Sequence, residues 1–490
     1  MYDVIIIGAG VIGASIAREL SKYELNTLVL EKENDVGDGA SGANSAIIHS
    51  GYDPLPSTLK ATFNVKGNAM YDEIAKDLGV EFKRIGSITL ALNMEEKEKL
   101  EQLRQRAVKN NVDVKIIEKE ELKKIEPSVT SKAVAGLLAP SCGIINPFVL
   151  VVALMENAIE NGIKLNLNEE VIKIERLEKG FKVTTSKTSY ITNYVINAAG
   201  INADIINAFV NEKFFTITPK KGEYYVLDHF DNNYVKHTLF SLPSAKGKGV
   251  LISPTTSYNY LIGPSSNISS REDVSTDSTT LETVLAESYK LIDNVRVDKK
   301  IKQFAGIRAV SSTNDFIIEE TSYHFINVSG IQSPGLSSAP AIATFVASLI
   351  ENKRPNEHFN PKRRPFYQLN KLSFDERCKL IENEPRFSQI VCRCEKVSLM
   401  EVIDVINRPC GAKTIKGVKK RIRPGFGMCQ GGFCEPLILN ILSKELKCEK
   451  QEIFYGKNGS YILEENKRGT CDEKIWFSNY WWWIGWACSC

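Results

Sequence analysis

The sequence predicts an α/β protein: a Rossmann-type N-terminal unit and a separate small module near the C-terminal end. Three observations carry that reading. The opening stretch, "YDVIIIGAGVIGASIARELSKYELNTLVLEKEN", reads as strand, glycine turn, helix and second strand. Strand-like and helix-like stretches then alternate through about the first 350 residues, as packed α/β layers require. Past a Pro-rich basic stretch, "ENKRPNEHFNPKRRPFYQL", cysteines gather in a short module.

In chain order, "DVIII" is a continuous apolar run, as expected of a parallel strand buried on both faces. Gly8, Gly10 and Gly13 supply G-x-G-x-x-G. The first permits the tight turn, the second lets backbone approach a pyrophosphate, and the third lets helix pack on strand. A helix expected over 11–22 presents its first N–H groups to phosphate. Glu31 closes the second strand 18 residues after Gly13, where a carboxylate accepts hydrogen bonds from ribose hydroxyls. The glycine motif alone is weak evidence, but strand, helix, second strand and acid are all in place. The motif fits NAD or FAD.

Length and charge exclude several classes. A chain of 490 residues accommodates two or three domains with sizeable cores. A net charge of +3 gives no case for a nucleic-acid partner. No apolar run reaches the length of about 18 residues that a membrane-spanning helix needs. Met1, Tyr2 and Asp3 lead directly into the first strand, without a signal peptide. A cytoplasmic location is therefore expected, with at most peripheral membrane contact. There the eleven cysteines are reduced, metal-bound or catalytic rather than disulfide-paired.

Four separated segments choose FAD: "GASGANSAIIHSGYDPLPSTLKA", "YVINAAGINADII", "FAGIRAVSSTNDFIIEE" and "FINVSGIQSPGLSSAPAIA". In that order they resemble the D-amino-acid-oxidase-like superfamily of FAD oxidoreductases, nearest its glycerol-3-phosphate dehydrogenases and L-2-hydroxyglutarate oxidases. The likeness runs over about residues 1–350. It implies a Rossmann-type FAD domain interrupted by an antiparallel-sheet substrate domain near 85–140 and 215–300. It implies that Ser41, Asn44 and Ser45 sit beside the flavin and that Val171 offers backbone groups to the adenine. Gly200 is then near the pyrophosphate, and Gly330, Gly335 and Leu336 approach the isoalloxazine ring.

A flavin enzyme of this kind takes a hydride from a carbon bearing a hydroxyl or amine. An anionic hydroxy substrate needs a fixed cation, and the resemblance puts Arg308 over the flavin face. His49 is either the base for the hydroxyl proton, a hydrogen-bonding or packing partner of the flavin, or its covalent ligand. "PKKGEYYVLD" resembles a substrate-domain strand, with Lys221 and Tyr225 expected to face the pocket. This strand departs from aerobic glycerol-3-phosphate dehydrogenases, which have a histidine near Tyr224 and a lysine near Gln332. The 39–61 segment is closer to the 2-hydroxyglutarate pattern.

Cys392 and Cys394 are followed by Cys429 and Cys434 after a gap of 34 residues. Four thiolates hold either a [2Fe–2S] cluster or a structural zinc. The C-x-C…C-x4-C spacing with "RPGFGMCQGGFC" resembles the bacterioferritin-associated-ferredoxin-like domain that closes the anaerobic glycerol-3-phosphate dehydrogenase large subunit. That resemblance implies [2Fe–2S]. Lys413, Lys416, Lys419, Lys420, Arg421 and Arg423 precede Cys429. They form either a solvated face or a charge that offsets the cluster and docks an acidic redox partner. Domains are thus expected at 1–350 and 388–465, with a linker at 351–387 and an unstructured tail at 466–490.

The tail, "WFSNYWWWIGWACSC", holds all five tryptophans. Read one base out of frame, its tryptophan codons give Gly-Gly-Gly-x-x-Gly behind a Met-Lys-Lys start. That is the opening of another dinucleotide-binding protein. The tail is therefore expected to overlap the start of a gene for a second flavoprotein or NAD-linked partner, either as a genuine overlap or as the product of a frameshift. The rival reading is an interfacial aromatic anchor. The expected activity is FAD-dependent oxidation of sn-glycerol 3-phosphate to dihydroxyacetone phosphate, with electrons leaving through the cluster to a partner or quinone. The alternatives are a 2-hydroxyacid dehydrogenase and an electron-transfer subunit with a vestigial substrate site.

Overall fold

The computed structural model describes residues 1–212, 215–243 and 249–463; the tryptophan-rich tail expected at 466–490 lies outside them. The chain forms two compact units, Met1–Lys32 with Val36–Pro365, and Glu33–Asp35 with the chain from Phe366 onward.

The first unit is built on two large sheets. One has eight strands, and its centre is a parallel set in the spatial order Phe325–Ser329, Ser189–Asn197, Tyr2–Ile7, Thr27–Leu30 and Lys164–Asn166. Val4, Ile5 and Ile6 are fully buried, which explains why this strand reads as an unbroken apolar run. Ser189–Asn197 pairs in parallel at its C-terminal end and antiparallel with Phe181–Thr185 at its other end. The helices Val11–Leu20 and Gly335–Ser348 both begin at the carboxyl edge of this parallel set. Open α/β sheets bind ligands at that edge.

The second sheet has nine strands. Every described pair is antiparallel except Ser87–Ala91 with Thr238–Phe240. Its longest ladder joins Ile217–Leu227 to Lys300–Ser311. The sheet therefore runs on past residue 300, and Arg308 is carried by it. Side chains two apart on a strand share a face. Lys220, Gly222 and Tyr224, opposite Arg308, Gly306 and Phe304, make one face; Lys221, Glu223 and Tyr225 make the other.

The stretch expected as a linker is ordered. Its first part packs with the first unit: Arg354 O accepts from Glu24 N, and Arg363 is fully buried against Glu156 at 2.5 Å. From Phe366 the chain belongs to the second unit and includes the helix Phe374–Asn383, opened by a Ser373–Glu376 capping box. The proline spacing gave no sign of the buried ion pair that pins the first part. The second unit continues as a short hairpin, Ile390–Cys392 with Val397–Ser398, and three helices, Leu399–Ile406, Ile415–Ile422 and Glu435–Leu446.

At Gly13 an added Cβ would stand 1.9 Å from Gly8 O, a backbone atom that cannot step aside. Gly13→Ala should overpack this joint by about 1–3 kcal/mol and lower the thermal midpoint of the first unit. A calorimetric midpoint equal to wild type would show that helix and strand are not in this contact.

Candidate active site and cysteine centre

The glycine turn is shaped to leave backbone bare. Gly8 has φ +101°, and a Cβ there would meet Ala198 O at 2.6 Å. Gly200, in the next turn, has φ +58° and open space where a side chain would stand. Glu31 Oε2 accepts from Ala9 N at 2.8 Å, so the expected ribose ligand also holds the glycine turn. Val171 starts a strand behind it, and Glu169 N donates to Glu31 O.

The 40–46 loop lies across this turn. Ser41 Oγ accepts from Val11 N at 2.8 Å, at the mouth of the first helix. Asn44 Nδ2 donates to the carbonyls of Ala40 and Ser41, while its Oδ1 accepts from Ala46 N, which holds Ala46 at φ +60°. Ser45 Oγ is 2.9 Å from Tyr224 Oη on the second sheet. Gly306 faces Ala43 so closely that a Cβ would stand 2.1 Å from Ala43 O.

Arg308 Nη2 donates to Ser265 O at 3.0 Å and passes over Gly222, 3.6 Å from where a Cβ would be. Its Nε is buried and has no hydrogen-bond partner among the described residues. Among those residues the guanidinium has no carboxylate partner, unlike an arginine kept for a structural ion pair. Lys220 stands directly opposite, half-buried, and is likewise without a carboxylate partner among the described residues. Tyr224 is buried and stacks on Phe304 at 4.7 Å. Burial pushes its hydroxyl pKa up, against the opposing pull of the Ser45 bond and of Arg308.

Lys221 and Tyr225 do not join this face. Lys221 Nζ is 2.7 Å from Asp273 Oδ2 and 3.9 Å from Glu223 Oε1. Tyr225 packs in the apolar core with Leu227, Tyr260 and Ile262. Lys220 and Tyr224, one residue earlier on the strand and so on its opposite face, are the ones that share the face of Arg308. Gly222 and Gly306 are the signal that locates the face, since each makes room for something pressed against the sheet.

His49 follows the strand Ile47–Ile48. Its N donates to Ser337 Oγ at 2.7 Å, its Nε2 is 3.4 Å from Ser333 Oγ, and its ring stacks on Phe240 at 5.8 Å. It lines a cavity with Tyr52, Asn64, Thr89 and Phe240. Gly330, at φ +65°, abuts Ser311 where the chain leaves Phe325–Ser329. Gly335 opens the following helix, and Leu336 O accepts from Tyr71 Oη.

In the second unit the four cysteines stand as two pairs. Cys394 and Cys429 have their sulfurs 3.6 Å apart. Cys392 and Cys434 are hydrogen-bonded to each other, which holds the Cys392 thiol below its usual range and pushes that of Cys434 up. The N–H groups of Glu395 and Gly425 also serve the Cys392 sulfur. Among the described residues no three His, Cys, Asp or Glu side chains converge as ligands of one ion. The basic run divides: Lys413 is exposed and Lys416 and Arg423 are half-buried, whereas Lys419, Lys420 and Arg421 are buried, and Arg421 forks onto Asp35, which belongs to this unit, at 2.8 and 2.9 Å.

Comparison with known proteins decides the family. Residues 3–349 match the family described as FAD dependent oxidoreductase. The chain belongs to the FAD-dependent oxidoreductase family. Residues 390–444 match the BFD-like [2Fe-2S] binding domain. Glycerol 3-phosphate dehydrogenase of Caloramator mitchellensis is 44% identical, covering 94% of this chain and 98% of that one. Glycerol 3-phosphate oxidase of Mycoplasma genitalium is 32% identical over 73% of this chain and 97% of its own. Among solved structures, dithionite-reduced L-alpha-glycerophosphate oxidase from Mycoplasma pneumoniae with FAD bound superposes with a TM-score of 0.72. It is 30% identical, over 75% of this chain and 99% of that one.

FAD and a [2Fe–2S] cluster are therefore the cofactors of this family member. The bare turn at Gly8, the open space at Gly200 and the helix mouth at Val11 fit a dinucleotide. Two thiol pairs fit a binuclear cluster, which takes two ligands at each iron, better than the single tetrahedral point of a zinc site. Among the described residues Cys142, Cys378, Cys410 and Cys448 form no disulfide. Cys429→Ser should abolish the visible absorbance and the reduced-state EPR signal of the cluster, whereas Cys448→Ser should keep both. A cluster signal that survives in Cys429→Ser would remove Cys429 from the ligand set.

Proposed function

We propose that the protein is an FAD- and [2Fe–2S]-dependent dehydrogenase that oxidises sn-glycerol 3-phosphate to dihydroxyacetone phosphate. The observation that carries this reading is the half-buried Arg308, its Nε buried and its guanidinium without a carboxylate among the described residues, opposite Lys220 on a sheet face completed by Tyr224 and the 40–46 loop. A phosphate monoester concentrates about −1.5 to −2 charges on one group at pH 7. Directly opposed residues of an antiparallel pair have Cβ atoms about 5 Å apart. Two such cations match one doubly charged group better than the two separated carboxylates of L-2-hydroxyglutarate. The near full-length similarity to a glycerol 3-phosphate dehydrogenase supports the same choice. A subunit that only carried electrons would have no reason to set two cations without carboxylates opposite each other on one sheet face.

Bound FAD supplies the hydride acceptor, and the [2Fe–2S] cluster supplies a one-electron outlet. The chain's own residues do the rest. Arg308 and Lys220 hold the phosphate and so fix the orientation of the substrate carbon chain. The Tyr224–Ser45 hydroxyl pair positions the reacting hydroxyl, and burial keeps the tyrosine protonated for that task. His49 takes the hydroxyl proton at Nε2, since imidazole is the side chain suited to this near neutral pH. Electrons pass on to a protein partner, a second flavoprotein or NAD-linked subunit encoded downstream. No described helix is long and apolar enough to cross a membrane. A cytoplasmic protein with at most peripheral membrane contact is the placement we favour.

Steady-state kinetics test the clamp. Arg308→Ala should raise KM for sn-glycerol 3-phosphate about 100-fold, equivalent to about 3 kcal/mol for a charge-assisted pair. Lys220→Met should raise it about tenfold, less because the lysine is half-exposed and screened. An unchanged KM in both variants would place the phosphate elsewhere.

A further inference from the structure

The second unit leaves apolar side chains open beside its cysteine pairs. Phe433 is 83% exposed, Met428 71% and Leu437 47%. Met428 directly precedes Cys429, Phe433 directly precedes Cys434, and Leu437 lies one turn beyond Phe433 in the helix Glu435–Leu446. The core of this unit is supplied by other residues, among them Val402, Val405, Ile438 and Leu442, so folding does not account for the open ones. The two thiol pairs also differ in access. Cys392 and Cys434 are buried, whereas Cys394 is exposed and Cys429 half-buried. The accessible sulfurs thus lie beside the apolar patch, the arrangement expected where a partner excludes water from an electron exit.

Charge narrows the partner. Arg393 and Lys396 flank Cys394, are exposed, and have no carboxylate partner among the described residues. The acid between them, Glu395, is tied to Arg423 at 2.9 Å, and Glu435 at the head of the following helix is buried. The uncompensated charges flanking the exposed Cys394 are therefore positive.

We infer that the face made by Met428, Phe433 and Leu437, rimmed by Arg393 and Lys396, docks an acidic redox protein that draws electrons from the cluster one at a time. In each encounter the cluster loses one electron and the acceptor's haem or flavin gains one; no bond is made or broken. The patch is small, which suits a weak and rapidly exchanging electron-transfer complex. The cationic rim steers the encounter and makes it sensitive to salt. The inference rests on the proposed function only for the source of the electrons.

The soluble haem domain of cytochrome b5, an acidic one-electron acceptor, serves as the probe, and the basic cytochrome c as its counterpart. Binding to the oxidised holoenzyme is measured by thermophoresis at low and high salt. Cytochrome b5 should bind at low salt and weaken as salt rises, while cytochrome c should not bind. Phe433→Ser with Leu437→Ser should weaken cytochrome b5 binding about tenfold. Arg393→Glu with Lys396→Glu should turn the preference toward cytochrome c, and this second pair decides the matter if the first disturbs the cluster EPR signal. Equal binding of the two cytochromes, or variants that bind like wild type, would overturn the inference. So would a dimer of this chain that the Phe433→Ser, Leu437→Ser variant dissociates, since the face would then belong to a second copy. Flavin bleaching by sn-glycerol 3-phosphate should be unchanged in every variant. If wild type itself is not bleached, the functional reading fails while the binding result stands.

Discussion

A methyl group on Gly306 would stand 2.1 Å from the carbonyl oxygen of Ala43, and the candidate active site depends on that contact remaining bare. It lets the 40–46 loop lie flat on the second sheet. The loop is then tied at both ends, through Ser41 to the mouth of the first helix and through Ser45 to Tyr224. One short segment thereby fixes the dinucleotide turn relative to the sheet that carries Arg308. Gly222 has a matching part, because its missing side chain gives the guanidinium room to lie along the strand. The face that carries Arg308 and Lys220 is thus defined by two glycines as much as by its cations.

The βαβ start was legible because each of its signals is local: an apolar run, three glycines at fixed spacing, and an acid at the end of a strand. The four cysteines were legible for the same reason. Strand parity was not. "PKKGEYYVLD" contains a Lys–Lys and a Tyr–Tyr doublet, so both faces of that strand offer the same residue types. Composition and alternation cannot choose between Lys220 with Tyr224 and Lys221 with Tyr225. The choice is made by register with Lys300–Ser311, a strand some 80 positions away, which pairs Gly222 with Gly306. The burial of part of the basic run before Cys429 was hidden for a related reason. Arg421 is buried because its partner, Asp35, lies 386 positions earlier in the chain, and no periodicity within the run could announce it.

Flavin and cluster divide the work by electron count. In the proposed reaction substrate oxidation releases two electrons together, and a [2Fe–2S] cluster held by the four cysteines would supply a one-electron outlet. The cations are divided as well. In the first unit, Arg308 and Lys220 are left without carboxylates among the described residues. In the second, Arg421 is fully compensated while Arg393 and Lys396 are not. Buried basic residues in the cysteine module serve its fold, and the exposed ones beside Cys394 are available to a partner.

The most direct test of the central claim is an anaerobic titration of the purified holoenzyme that follows the flavin band. sn-Glycerol 3-phosphate and L-2-hydroxyglutarate are added to separate samples. The account predicts complete bleaching by the phosphate ester and none by the hydroxy acid at equal concentration, because the Arg308–Lys220 face is matched to one doubly charged group. Bleaching by L-2-hydroxyglutarate alone would contradict it and assign that face to a carboxylate.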